Sequence, residues 1–333
     1  MTAGTAGAGA GAGAGTMVSL FGCDPATYQP HRIHGPDRTY IETNCFTDII
    51  SELLHARGDE PVASFSSFVR MDFENDQWTF FKPLAVDMEE LYGLDIHEIQ
   101  PYRSIPHQVE EQLGLGRTMT IELDGWYLPD TAATSYRSGH VKTGVIAEAI
   151  DVAGERFRYF HNASLYELSG EDFRGAFRTE TGWDDNVLPP YTELIRFDAG
   201  PRLEGEAVRE AALRQLRGHL RRVPAGNPFD RFYRYLDAQL PALLAGDAAL
   251  YHAFTFATFR MAGAGFELLA SHAEWLLGER GAAATAAMAR IVEGCKLMGF
   301  KLARRRPFDP SESMAALSAA WAEALEALDA AAT

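Results

Sequence analysis

The chain has 333 residues, enough for two domains that each bury a hydrophobic core. Its formal net charge of −16 argues against a general nucleic-acid binder, because neutralising phosphates requires a surplus of Lys and Arg. The three cysteines are too widely spaced for a disulfide framework or a metal knuckle, and no apolar run approaches the length of a membrane span. These features predict a soluble cytoplasmic protein with reduced thiols.

Composition divides the chain into three segments. Residues 1–16 form an Ala/Gly/Thr repeat without the basic and apolar regions of a signal peptide, which predicts a disordered leader. From residue 17 short β-type runs alternate with turns, and from Leu203 onward Ala, Leu, Glu and Arg recur at helical spacing. The sequence therefore predicts an α+β domain over 17–198 and an all-helical domain over 199–333.

The α+β domain is predicted to begin with a helix over 43–57 that ends at Gly58, followed by an antiparallel sheet. Two shorter helices are expected over 88–92 and 105–113. Strands are predicted over 62–71, 118–123, 141–150 and 157–161, and the turn at 151–154 predicts that the last two form a hairpin. The second domain is expected to contain long helices over 204–222, 229–244, 248–277, 283–303 and 311–331.

Cys45 is predicted at the N-terminal end of the first helix. The positive end of the helix dipole and the free backbone N–H groups there favour a thiolate and can hold an oxyanion. Cys45 is therefore the best candidate for a nucleophile, and a small buried apolar residue is the alternative interpretation. Cys295 falls inside an amphipathic helix and is predicted to belong to the core.

A cysteine nucleophile needs a base and a residue that orients the base. His140 lies at the beginning of a predicted strand, and the next predicted strand ends in His161 and Asn162. Because papain-like folds place Cys, His and Asn in this order along a helix and two strands, we predict His140 as the base and Asn162 as its orienting partner, with His161 as the alternative. No metal site is predicted, since His31 and His34 have no suitably spaced third ligand.

Several segments carry a resemblance to known families. TIELDGWYLPD over 120–130, followed by GHV over 139–141, YFHN over 159–162 and LSGEDF over 168–173, resembles the butirosin biosynthesis protein H family. In that family an acidic-Tyr-Leu-Pro segment precedes the catalytic His. YIETNCFTD over 40–48 and DQWTFFKP over 76–83 resemble the bacterial domain-of-unknown-function family 1839, and this resemblance extends from His31 to the last helix.

The resemblance implies a papain-like acyltransferase of specialised metabolism. Such an enzyme would move an aminoacyl group from a carrier-protein phosphopantetheine thioester, through an acyl-enzyme on Cys45, to an amine or similar acceptor. No bound cofactor is expected, because phosphopantetheine would arrive as the substrate arm of the carrier protein. Thr39 stands where papain-type chains usually have a Gln, so the oxyanion donor is expected among Asn44, Thr43 and backbone N–H groups.

Three further residues are candidates for substrate contacts. Asp124 and Asp130 would complement the ammonium group of an aminoacyl substrate, although acids in a solvated turn have the same appearance. Trp78 would either shape a pocket or fill a core. Basic clusters over 214–222 and 301–306 suit either the docking of an acidic carrier protein or the C-terminal ends of helices.

Two alternatives stay open in the sequence. A thioesterase or peptidase needs the same Cys, His and Asn residues but admits water, and a non-catalytic scaffold would bind the carrier protein without chemistry. The expected partners are an aminoacyl carrier protein and a small-molecule acceptor, with neither nucleic acid nor membrane. The sequence is compatible with a homodimer.

Overall fold

The computed structural model describes residues 16–183 and 187–333. The predicted leader over 1–16 lies outside the described residues except for Thr16. Among the described residues the strands are β1 (Val18–Ser19), β2 (Phe73–Glu74), β3 (Gln77–Trp78), β4 (Asp95–Ile99), β5 (Thr118–Asp124), β6 (Lys142–Asp151), β7 (Arg156–His161), β8 (Ser164–Ser169) and β9 (Thr192–Arg196). The α-helices are α1 (Cys45–Arg57), α2 (Ala85–Tyr92), α3 (Ile105–Gly114), α4 (Glu171–Phe177), α5 (Glu206–Leu220), α6 (Pro228–Ala245), α7 (Ala248–Thr255), α8 (Met261–Leu277), α9 (Ala282–Ala303) and α10 (Ser311–Ala332).

The described residues form two compact units, and neither unit is one continuous stretch of chain. Unit 1 contains residues 16–28, 98–160 and 165–194 without the undescribed 184–186. Unit 2 contains residues 29–97, 161–164 and 195–333. This division differs from the predicted boundary after residue 198, because residues 29–97 share a unit and an apolar core with the C-terminal helices.

Most of the main sheet lies in unit 1; its strand order is β4-β9-β5-β6-β7-β8, and β1 pairs with β6 as well. β5 and β6 are antiparallel with Thr120 opposite Ile146, and β6 and β7 are antiparallel with Ile146 opposite Phe160. The predicted hairpin across 151–154 is therefore confirmed. Apolar residues of α3 and α4 share a core with the inward residues of these strands, among them Val109, Phe173, Ile121 and Phe157.

Unit 2 contains a buried segment that the sequence predicted wrongly. Residues 62–71 were expected to form a strand, but Pro61–Arg70 is a 3-10 helix with nine buried residues. Pro61 at the first helical position and Glu60, whose side chain accepts from the Val62 N–H at 3.2 Å, start the helix. Val and Phe are frequent in this segment and favour strands, but tertiary packing overrides that preference.

The rest of unit 2 is helical, as predicted for the C-terminal half of the chain. All five expected helices occur within a few residues of their predicted bounds, but the third is interrupted by a π-helical turn, Phe256–Arg260, between α7 and α8. Phe65 and Phe68 of the 3-10 helix share one apolar core with Phe232 of α6 and Phe266 of α8. The protein is thus a mixed α+β chain with an antiparallel sheet and a helical C-terminal region. No helix in the part of the chain that the structure describes is both long and apolar enough to cross a membrane.

Candidate active site

Cys45 is the first residue of α1, in unit 2, and its side chain is partly exposed. The helix begins here because Asn44 adopts an extended backbone and its side-chain oxygen accepts from the Thr47 N–H at 3.0 Å. It ends at Gly58, which adopts the left-handed conformation with a φ of 84°. The thiol therefore lies at the positive end of the helix dipole, as predicted from the sequence.

Neither side chain proposed as an oxyanion donor is free. The Asn44 amide donates to the carbonyl of Phe81 at 3.1 Å, and the Thr43 hydroxyl donates to Asp48 at 2.5 Å. Of the groups expected to hold an oxyanion, the backbone N–H groups of Cys45 and Phe46 remain. At the first two positions of an α-helix these groups have no intrahelical acceptor, and no other acceptor for them occurs among the described residues.

A buried network of charged side chains, which the sequence did not predict, lies directly behind the first turn of α1. His34 Nδ1 lies 2.5 Å from Glu52 Oε1, and His34 Nε2 lies 3.3 Å from Asp48 Oδ1. Asp48 also accepts from the Thr43 N–H at 2.7 Å. The network therefore ties the chain on both sides of Cys45 to one imidazole. Its signal in the sequence is a pair of acids four residues apart on a helix whose neighbouring positions are apolar.

The charge state of this network follows from its surroundings. Burial lowers the pKa of His34, but hydrogen bonds to Asp48 and Glu52 and the charges of both acids raise it by more, to about 9. His34 is therefore an imidazolium at neutral pH and neutralises part of the buried acid charge. Across the described residues, His, Cys, Asp and Glu nowhere form a group that could hold a metal ion.

The segment that leads into Cys45 is held by α8. Glu267 accepts from the backbone N–H groups of Thr39 and Tyr40 at 2.8 and 2.9 Å. Arg260, in the π-helical turn before α8, donates to the carbonyl of Glu42 at 2.8 Å. Since backbone groups so close to Cys45 are fixed by side chains of the helical region, the position of the thiol depends on residues more than two hundred positions away in the sequence.

His140 lies in unit 1, immediately before β6, and its side chain is 71% exposed. Its Nδ1 lies 2.6 Å from Asp124 Oδ2 at the end of β5, and its ring stacks on Trp126 with centroids 4.8 Å apart. The β5–β6 pairing places the ends of these two strands side by side. A carboxylate that hydrogen-bonds to Nδ1 fixes the orientation of the imidazole ring and leaves Nε2 available to accept or donate a proton.

The Asp124–His140 pair lines a cavity of about 390 Å³ within unit 1. Lys142 and Glu122 line the same cavity and pair with each other at 2.7 Å. The imidazole is thus open to a ligand in a cleft that also offers charged and apolar contacts.

Two family models match the chain. The DUF1839 N-terminal domain matches residues 29–197, and the DUF1839 C-terminal domain matches residues 205–330. The chain belongs to the DUF1839 family. The predicted resemblance to this family is thereby confirmed, while the resemblance to the butirosin biosynthesis protein H family stays a prediction. No curated protein matches the chain.

The residue that orients His140 was predicted wrongly as Asn162. The Nδ1 partner is Asp124, on the strand before His140 rather than on the strand after it. Asn162 instead lies in the turn between β7 and β8 with a φ of 46°, a conformation that Asn adopts more readily than most residues. His161, the alternative, is buried at the end of β7.

Asp124 is consequently not free to bind the ammonium group of a substrate. Its second oxygen accepts from the Trp126 N–H at 3.0 Å and caps the turn Gly125–Tyr127. Asp130 accepts from the Tyr159 hydroxyl at 2.5 Å, so it too is engaged within the unit. The pairing of Cys45 with His140 stays a prediction, since the two residues belong to different units.

Trp78 and part of the basic clusters also have structural roles. Trp78 is buried, with its ring 4.8 Å from Phe229, and therefore belongs to the core rather than to a pocket. Arg214 donates to Glu90 at 3.0 Å, and Arg217 donates to the carbonyl of Thr333 at 2.9 Å. These two contacts hold α5 to its neighbours at the surface, and the docking role of the basic clusters stays a prediction.

Proposed function

We propose that this protein is a cysteine-dependent aminoacyltransferase of specialised metabolism. It would take an aminoacyl group from the phosphopantetheine thioester of a carrier protein and pass it to an amine or similar acceptor. The papain-like arrangement belongs to this proposal, with Cys45 on a helix and His140 before a strand of an antiparallel sheet. The observation that carries the proposal is the exposed His140, whose Nδ1 is held by Asp124 at 2.6 Å.

The proposed reaction has two halves. His140 Nε2 accepts the Cys45 proton, the thiolate adds to the thioester carbonyl, and the N–H groups of Cys45 and Phe46 hold the oxyanion. Collapse of this tetrahedral intermediate breaks the bond between the carbonyl carbon and the pantetheine sulfur. The sulfur leaves as a thiol after it takes the proton from His140. The acceptor amine then attacks the acyl-Cys45, His140 takes its proton, and that proton returns to the Cys45 sulfur as the amide is released. The proposal requires the two residues, one in each unit, to meet during turnover.

The test is intact-mass analysis after incubation with an aminoacyl thioester. We expect an adduct of one aminoacyl group that is lost in Cys45→Ala and kept in the matched control Cys23→Ala. Discharge by an added amine supports a transferase, whereas discharge by water alone identifies a hydrolase with the same residues. Tight binding of a carrier protein without any adduct would contradict the enzyme and leave a scaffold.

A further inference from the structure

Unit 2 contains a cavity of about 370 Å³. One wall is the end of the 3-10 helix, with Ser67, Phe68 and Arg70, and the other is the extended segment after β3, with Thr79, Phe80 and Lys82. We call it the Arg70–Lys82 pocket. The Ser67 hydroxyl donates to the carbonyl of Lys82 at 3.3 Å, so the two walls are joined at one side.

The Arg70–Lys82 pocket borders the turn that carries Cys45. The carbonyl of Phe81, another residue of the wall, accepts from the Asn44 amide at 3.1 Å and from the Thr47 hydroxyl at 3.2 Å. The Lys82 ammonium lies 4.4 Å from the centre of the Phe46 ring. The pocket wall is therefore bonded to the residues on both sides of the thiol.

The pocket is positively charged in an acidic chain. Among the described residues no carboxylate pairs with Arg70 or Lys82, although the chain has a net charge of −16. Asp72, the acid nearest to Arg70 in the sequence, is already paired with Arg231 of α6. Two cations that share one cavity without a counter-charge repel each other, and an anionic ligand would remove that repulsion.

The pocket also offers an aromatic surface. Phe80 is 47% exposed, and its ring stacks on that of Phe81 with centroids 6.3 Å apart. Lys82 lies 5.9 Å from the Phe80 ring as well. An exposed aromatic ring beside two cations suits a ligand that carries an anion on an organic stem, rather than a free inorganic ion.

We propose that the Arg70–Lys82 pocket binds the phosphate group of the acyl donor and so delivers its thioester to Cys45. A guanidinium presents parallel donors that match phosphate oxygens, and the ammonium adds a point charge. This inference rests on the proposed function for the identity of the donor, but the pocket can be tested without any chemistry.

The experiment measures binding to full-length protein in which Cys45→Ser removes the reaction. Isothermal titration compares 4′-phosphopantetheine with pantetheine, which is the same molecule without its phosphate. We expect 4′-phosphopantetheine to bind at least tenfold more tightly than pantetheine. This affinity ratio should decrease as the salt concentration is raised. Lys82→Met and Arg70→Lys should each remove most of this advantage and leave pantetheine binding unchanged.

Lys296→Met is the matched control, because Lys296 is an exposed lysine of α9 outside the pocket. It should preserve the full preference for phosphate. Equal affinity for the two compounds, or a preference that survives Lys82→Met, would overturn the proposal.

The outcomes separate this inference from the proposed function. If the preference for phosphate depends on Lys82 but Cys45 never forms an adduct, phosphate binding in the Arg70–Lys82 pocket is supported and the acyltransferase activity is contradicted. If an adduct forms from phosphopantetheine thioesters at the same rate in Lys82→Met as in the wild type, the acyltransferase activity is supported and donor binding in the pocket is contradicted.

Discussion

Asp124 contacts two different groups, since one carboxylate oxygen caps the turn Gly125–Tyr127 and the other lies 2.6 Å from His140. Asparagine at position 124 would still cap the turn through its side-chain oxygen. It would, however, place an amide NH2 group beside the imidazole instead of a carboxylate oxygen. Histidine bases that lose their carboxylate in this way keep their place but lose the favoured tautomer and the stabilisation of their charged form.

We therefore expect Asp124→Asn to lower kcat/KM for acyl transfer by about a hundredfold or more. The measurement is the initial rate of acceptor acylation with an aminoacyl thioester. Glu122→Gln is the matched control, because Glu122 lines the same cavity but pairs with Lys142 rather than with the imidazole. Equal loss in the two variants, or no loss in Asp124→Asn, would remove the assigned role from Asp124.

The three thiols differ in their environments, which predicts an order of reactivity. Burial and the charge of Glu148 raise the pKa of Cys23, and complete burial raises the pKa of Cys295 far above its ordinary value. Cys45 is partly exposed at the first residue of α1, where a reagent can reach its sulfur. Limiting iodoacetamide at pH 7.5, followed by peptide mass mapping, should label Cys45 first.

A denatured sample in which the three cysteines react alike is the control for this labelling. Preferential labelling of Cys23 in the folded protein would contradict the assignment of Cys45 as the reactive thiol.

Individual residues could be predicted from the sequence where their role is local. The Cys45 position follows from its capping residue Asn44 and from the stop at Gly58, all within one helix. The partner of His140 could not be predicted in this way, because Asp124 meets it across paired strands and the register of a pair is not visible in one chain segment.

At the scale of elements, α8 fixes the segment before α1 through one carboxylate. Glu267 is 12% exposed and accepts from the backbone N–H groups of both Thr39 and Tyr40. Glu267→Ala should lower the free energy of unfolding by about 1–3 kcal/mol, since it leaves two partly buried donors without a partner. Hydrogen exchange of the Thr39 and Tyr40 amides should become faster.

The control for this substitution is Glu274→Ala, an exposed glutamate of the same helix, for which we expect a change within about 0.5 kcal/mol. Urea denaturation measures both variants. Unchanged exchange of the Thr39 and Tyr40 amides in Glu267→Ala would show that α8 does not hold this segment.

The His34 network joins the segment before α1 to the body of the helix and makes this junction sensitive to pH. The pKa of His34 is raised from 6.5 to about 9, so the folded state binds a proton that the unfolded state releases between these values. The stabilisation is complete below pH 6.5 and is lost as the pH rises through 9. The loss is on the order of 3 kcal/mol.

Urea denaturation of the wild type and of His34→Gln, at pH 6 and pH 9.5, measures this effect. The variant should be less stable at pH 6 and should lose less stability on going to pH 9.5. His97→Gln is the control, because His97 is 70% exposed. Parallel pH profiles of the wild type and His34→Gln would contradict a protonated His34 in the folded state.

The elements that could be predicted well from the sequence are those with a clear periodic spacing of apolar residues. The helices from α5 to α10 and the hairpin of β6 and β7 were recognised from spacing and from a turn. Short strands such as β4 and β9 have too few residues to show a pattern, and their pairing partners are distant in the sequence. The 3-10 helix Pro61–Arg70 was predicted as a strand because its Val and Phe residues favour strands, whereas tertiary packing decides the outcome.

At the scale of the whole molecule, the C-terminal helices share their core with residues 29–97. Phe73 stacks on Phe232 with centroids 4.9 Å apart, and Trp78 lies 4.8 Å from Phe229. The change from mixed to helical composition near residue 198 coincides with the boundary between the two matched family domains, but the compact unit of the C-terminal helices also contains residues 29–97. Composition could reveal the boundary, but only long-range packing determines the extent of the unit.

A fragment of residues 199–333 should consequently fail to fold as an independent domain. Without residues 29–97 the rings of Phe229, Phe232 and Phe266 would face water, and each buried aromatic contributes roughly 1.5–3 kcal/mol when shielded from it. We expect the isolated fragment to bind a hydrophobic dye and to unfold without a cooperative transition. Co-expression with residues 17–198 should restore cooperative unfolding, since it supplies the missing half of the core. A fragment that unfolds cooperatively on its own, at the same urea concentration as the full chain, would mean that residues 29–97 are not needed for the helical core.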